Sequence, residues 1–181
     1  MIIVFSPSYP RICRDARGNC VSLPQRLVDR SSFPGYDTGN QTRRNRRKQK
    51  GRTDMRAEQA VERKHSGFNC CQSVVLSYAK EIGLPEETLA KLASGFAGGM
   101  GTREGVCGAL NGAVMALDLL NDGTVKPVKA AKEAQLAFRE KTGAILCKDI
   151  KGVETGVELC ACDDCVRNAV EIVEKALSRN G

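Results

Sequence analysis

Seven cysteines stand between residues 70 and 165 of this 181-residue chain: Cys70, Cys71, Cys107, Cys147, Cys160, Cys162 and Cys165. A thiolate is both a nucleophile and a metal ligand, so their chemistry depends on which of them can ionise. Cys160, Cys162 and Cys165 fall within six residues, which is more sulfur than packing asks for. Cys162-Asp163-Asp164-Cys165 is a C-x-x-C, a spacing shared by redox dithiols and metal knuckles. A second C-x-x-C is missing, so a zinc ribbon is not supported, and the single His65 excludes sites that need two imidazoles.

The surroundings of each cysteine separate chemistry from packing. Cys70 follows Asn69, a good helix cap, and so belongs in a first helical turn, where free N–H groups and the helix dipole favour a thiolate. Cys107 opens the next long helix and receives the same argument. Cys162 and Cys165 flank the start of the last helix, although Asp163 and Asp164 oppose ionisation there. Cys71 lies on an apolar stripe and reads as a small buried hydrophobe.

The elements that must position these thiols are helical by period. Arg56 to about His65 reads as a short polar helix, ended by Ser66-Gly67. Cys71, Val74, Val75, Tyr78 and Ile82 recur at helical spacing, and Gly83 stops that helix. Pro85 opens the next, with Glu86 and Glu87 at its positive end. A glycine-rich turn spans Gly95 to Gly105, and an apolar helix runs from about Gly105 to Leu120. Small residues along it, among them Gly108, Gly112 and Ala116, allow close helix approach. Asn121-Asp122-Gly123 is a turn, Pro127 to about Lys141 an amphipathic helix, and Ile145 to Ile150 a short segment carrying Cys147. The last helix begins near Asp163 or Asp164, with Val166, Val170, Val173 and Leu177 as its buried stripe. The expected fold is all-α, a compact bundle of five to six short helices, with a disordered basic N-terminal extension.

Composition fits one domain plus that extension. Residues 1–54 hold 12 Lys/Arg against 4 Asp/Glu, and residues 55–181 hold 16 against 17, so the net charge of +7 comes from the extension. An Arg-rich arm of this kind could neutralise nucleic-acid phosphates. No aromatic residue interleaves with its basic run, however, and the folded part is near neutral, so nucleic-acid binding is a distant reading. Residues 1–54 are expected to be disordered, with Met55 a candidate for the true start; residues 55–181 form the working domain. No secretory leader is visible and no run approaches the ~20 apolar residues of a membrane helix. A cytoplasmic, reducing location follows, where clustered cysteines read as catalytic thiols or metal ligands rather than structural disulfides. The glycine-rich turn lacks the phosphate-loop pattern and follows no strand; it reads as a helix-to-helix turn that lets backbone approach Cys107.

Five stretches together resemble the C_GCAxxG_C_C family of redox-active proteins. They are Gly67-Phe68-Asn69-Cys70, Ser94 through Gly101, Cys107-Gly108-Ala109-Leu110-Asn111-Gly112, Leu146-Cys147, and Cys162 or Cys165 leading into Val166-Arg167-Asn168-Ala169. The likeness covers nearly all of 55–181 and none of 1–54. It implies that Cys70, Cys107, Cys147 and one of Cys162 or Cys165 are the four characteristic cysteines. Cys71, where the family usually has Ala, and Cys160 are additional. The resemblance implies redox activity with a partner protein, as an oxidoreductase or electron carrier. Thiol–disulfide exchange, with Cys70 or Cys107 attacking, is one form; a four-cysteine iron–sulfur cluster or other metal site on the same residues is the other.

Overall fold

Glycines and capping residues cut the chain into helices, and an aliphatic stripe on each packs them together. The structure, a computed structural model, describes residues 12–14, 20–22 and 40–180. It divides into two compact units, Met1–Arg44 and Asn45–Gly181. Within the first, strands β1 (Ile12–Arg14) and β2 (Cys20–Ser22) pair antiparallel, Cys13 opposite Val21 and Arg14 opposite Cys20. Apart from these six residues, the expectation of disorder over 1–39 lies outside the described residues.

The remainder is all-α, as the periodicity predicts. The α-helices among the described residues are α1 (Asn40–His65), α2 (Cys70–Leu76), α3 (Ala79–Ile82), α4 (Glu86–Ala93), α5 (Gly108–Leu119), α6 (Pro127–Thr142), α7 (Cys147–Ile150) and α8 (Cys162–Asn180). Eight α-helices among the described residues exceed the five to six expected, because the short Cys147 segment is helical (α7) and the Cys71–Ile82 stripe is split into α2 and α3; α1 differs in its start. α1 starts at Asn40 rather than Arg56, so residues 40–54 are helical where no regular structure is expected. Arg, Lys and Gln are good helix formers, and three of this helix's side chains hold the α8 carboxylate Glu174: Gln49 Nε2 at 3.3 Å, Arg52 Nη2 at 3.3 Å and Arg56 Nε at 3.0 Å.

A further difference is the break in the stripe from Cys71 to Ile82. The helix tightens at Ser77 and Tyr78, whose N–H groups turn to the carbonyls of Val74 and Val75. The Arg56 guanidinium donates to the Ser77 carbonyl and lies 4.5 Å over the Tyr78 ring, taking an acceptor that a continuous helix would use itself. α3 then ends at Gly83, which is left-handed at φ 76°.

The core centres on α5. Leu110, Ala113 and Leu117 of α5 meet Val74 and Tyr78, Ala134 and Phe138 of α6, Ile150 of α7, and Val166, Val170 and Val173 of α8. Each of the Val, Leu, Ile and Phe side chains among them contributes about 1.5–3 kcal/mol on burial. A smaller cluster, Cys71, Val75, Leu76, Ala79, Leu89 and Ala93, joins α2 to α4. No described helix is long and apolar enough to cross a membrane.

Candidate thiol centre

Four helix starts deliver the cysteines. Asn69 caps α2 as expected: its side chain accepts from Gln72 N–H, and Gln72 accepts from Asn69 N–H, each at 2.9 Å. Cys70 is thereby the first residue of α2. Cys107 caps α5, Cys147 opens α7, and Cys162 opens α8 with Cys165 one turn along.

Cys107 and Cys147 are held side by side by backbone. Val106 and Leu146 form an isolated antiparallel bridge. Cys107 N–H donates to Ile145 O at 2.8 Å, Cys147 N–H to Gly105 O at 2.9 Å, and Lys148 N–H to Arg103 O at 2.8 Å. Two helices therefore start from the two sides of one short ladder, each with a cysteine at its first turn.

The glycine-rich turn closes over the other side. Gly98 through Gly101 all take positive φ, including Met100 at 58°, so the backbone coils left-handed. At Gly99 a side chain would meet the Arg103 backbone at 2.8 Å and Cys147 Cβ at 2.9 Å. At Gly108, the residue after Cys107, it would strike Cys70 Sγ at 2.4 Å and Phe96 O at 2.7 Å. The turn does let backbone approach thiols, but those it reaches are Cys70 and Cys147 rather than Cys107 alone.

The electrostatics distinguish the sulfurs. Cys107 is only 6% exposed, yet its thiol is lowered to about 7. The adjoining Cys165 thiol, able to donate its S–H to a Cys107 thiolate, is the largest cause; burial opposes it, and the N–H groups of Ala109 and Leu110 at the start of α5 and the Lys151 ammonium add to it. The cost falls on Cys165, 2% exposed, which is pushed up by that same partner, by burial and by the Cys107 charge. Cys70 departs from expectation: burial pushes its thiol up and outweighs the Gly98 and Cys71 N–H groups, with Cys107 and Cys162 adding negative charge. Cys147 is likewise raised by burial, then by the sulfurs of Cys107, Cys162 and Cys70.

Cys71 behaves as the stripe predicts. It is fully buried, its sulfur lies 3.7 Å from Met115 Sδ, and burial pushes it up to about 12. All seven cysteines carry free thiols. Among the described residues, no group of three or more His, Cys, Asp or Glu is disposed to hold a metal ion.

Two groups at this centre were not singled out by sequence reasoning. Lys151, at the C-terminal cap of α7, places Nζ 3.4 Å from Cys160 O and pairs with Glu158. Burial disfavours its charge, but hydrogen bonds to Glu158 and the Cys162 sulfur hold it ionised. Asn168, one turn beyond Cys165, puts Nδ2 3.9 Å from Cys160 Sγ. The spacing of Lys151 four residues after Cys147, on a helix starting at that cysteine, is the signal that could have found the first.

Residues 68–176 match a family described as a putative redox-active protein, C_GCAxxG_C_C. The chain belongs to the C_GCAxxG_C_C family. No curated protein matches the chain, and no solved structure does. The C_GCAxxG_C_C match takes in the glycine-rich turn and all seven cysteines from Cys70 to Cys165, so the whole thiol centre lies inside the family domain.

Proposed function

We propose that this C_GCAxxG_C_C protein carries out thiol–disulfide exchange centred on Cys107 and Cys165, which join when the protein is oxidised and part when it is reduced. One observation carries the reading: Cys107 caps a twelve-residue helix with its thiol lowered to about 7, and the thiol beside it is Cys165. Oxidation by a disulfide of a partner protein takes two electrons and two protons from the pair and returns the partner's two thiols. Because Cys107 leaves easily as a thiolate, the disulfide opens readily, and in a cytoplasmic, reducing setting the pair rests as the dithiol. The Cys107 charge in turn adds to the burial that raises the thiols of Cys70 and Cys147 beside it, so these two hold their protons when Cys107 ionises.

A second reading has its own support. Cys70, Cys107, Cys147 and Cys162 come from four helix starts and lie within reach of one another's charge. Four thiolates suffice for an iron–sulfur cluster, although the described side chains would have to turn to ligate one.

Anaerobic purification of the full chain, with a visible spectrum, iron and sulfide analysis, and intact mass before and after oxidation, separates the two. A colourless protein that reversibly loses two hydrogens supports exchange. Stoichiometric iron and sulfide with charge-transfer bands would replace it with the cluster.

A further inference from the structure

The Cys107–Cys165 pair is too enclosed to meet a disulfide carried by another molecule: the two residues are 6% and 2% exposed. Exchange needs the attacking sulfur to approach an S–S bond end-on, which a buried thiol cannot do with an outside partner. Some other sulfur must connect the pair to the surface.

Cys160 is placed to do so. It is half-buried rather than buried. Its carbonyl lies 3.9 Å from Cys165 Sγ, and its own thiol sits beside the Cys165 thiol, so the two sulfurs affect each other's ionisation. The first turn of α8 fixes this neighbourhood: Cys165 N–H donates to Ala161 O at 2.9 Å, so the chain enters the helix one residue after Cys160. Burial raises the Cys160 thiol, opposed by the Cys165 hydrogen bond and the Lys151 charge, and Asn168, also on α8, aims its amide at Cys160 Sγ from 3.9 Å, where it can steady the thiolate formed on attack. Cys162 is also half-buried, but its sulfur acts on Cys70 and Cys147 rather than on Cys165, which places it on their side of the centre.

We infer that Cys160 is the entry sulfur of a three-cysteine relay, Cys160 to Cys165 to Cys107, through which an external disulfide is reduced. This rests on the exchange reading above. Cys160 thiolate attacks the external disulfide, forming a mixed disulfide and releasing one external thiolate. Cys165 hands its proton to the hydrogen-bonded Cys107 thiolate and attacks the Cys160 sulfur; the second external thiolate leaves and a Cys160–Cys165 disulfide forms. Cys107 then gives up that proton and attacks the Cys165 sulfur, forming the Cys107–Cys165 disulfide, while the departing Cys160 sulfur takes the proton and returns as a thiol. In sum one external disulfide becomes two thiols, the buried pair supplies both electrons, and Cys160 ends as it began. The external substrate class is a disulfide slim enough to reach a half-buried sulfur, such as that of glutathione or an extended peptide.

The test uses the reduced full chain mixed with glutathione disulfide, quenched with acid over time and mapped by peptide mass spectrometry. For Cys160→Ser the relay predicts that the Cys107–Cys165 disulfide forms about tenfold or more slowly than in the unaltered chain but reaches the same final extent, which also shows that the variant is folded. Cys165→Ser should accumulate glutathione on Cys160. Formation of the buried disulfide at an unchanged rate in Cys160→Ser, or glutathione trapped on Cys162 instead, would overturn the relay while leaving the exchange reading intact. Failure of the unaltered chain to form the Cys107–Cys165 disulfide at all would overturn both.

Discussion

Cys107 and Cys165 divide a single tendency to ionise between them: the first gains what the second loses. The Cys107 thiol is lowered to about 7 and that of Cys165 is raised. Thiolate absorbance of the reduced protein should therefore rise with a midpoint near 7, and Cys107→Ser should remove that step; persistence of the step in the variant would assign the thiolate elsewhere. The sign for stability follows. A thiol lowered in the folded state stabilises it above the unfolded-state value of about 8.5 and loses that contribution as pH falls through 7. Cys165, raised by folding, acts oppositely once pH exceeds its unfolded value. The stability of the unaltered chain relative to Cys107→Ser should thus grow from pH 6 to 8, as measured by urea denaturation. Cys71→Ala, by contrast, should leave the thiolate step untouched and cost about 1 kcal/mol, the loss of one small buried group. Sequence showed Asn69 as a cap and Cys71 as packing because both depend on neighbours a few residues away. It misjudged Cys70 because helix position is local and visible, whereas the burial that pushes its thiol up is supplied by the glycine-rich turn and Gly108 from more than twenty residues away.

Helix ends, rather than helix bodies, build the centre. α5 and α7 leave opposite sides of the Val106–Leu146 bridge, and α5 lies close enough to Cys70 that only glycine fits at 108. Gly108→Ala should cost about 1–3 kcal/mol as an overpacked contact. It should also raise the Cys107 midpoint by shifting the start of α5. An alanine variant as stable as the parent, with an unchanged midpoint, would mean that the close approach to Cys70 does not matter. The stopping glycine Gly83, the Pro127 helix and the Val166–Val173 stripe were legible from spacing. The bridge between Val106 and Leu146 was not, since two isolated residues leave no alternating pattern. Nor was the break at Ser77, which Arg56 causes from another helix.

Across the molecule, the long polar helix α1 is anchored to α8 at two places, at Glu174 and at Asp163 beside Cys162, which Lys64 and His65 hold. Glu174, with a side chain only 4% exposed, receives Arg52 and Arg56. Glu174→Ala leaves a half-buried Arg56 short of its partner and should destabilise the fold by about 3 kcal/mol, read as a lower thermal midpoint, while the Cys107 titration stays in place. Loss of the titration together with stability would show the centre to depend on this anchor. That α1 reaches back to Asn40 could not be read from a segment whose charges suggested a solvated tail; the partner carboxylate lies more than a hundred residues away. The all-α architecture, by contrast, was evident from helical periodicity, and the family from glycines and cysteines in order. The central claim is tested most directly by oxidising the full chain to equilibrium with glutathione disulfide, blocking free thiols and identifying the linked peptides. The account predicts one dominant cross-link, Cys107 to Cys165, reopened by reductant. A protein in which Cys107 stays free while other cysteines are joined would contradict it.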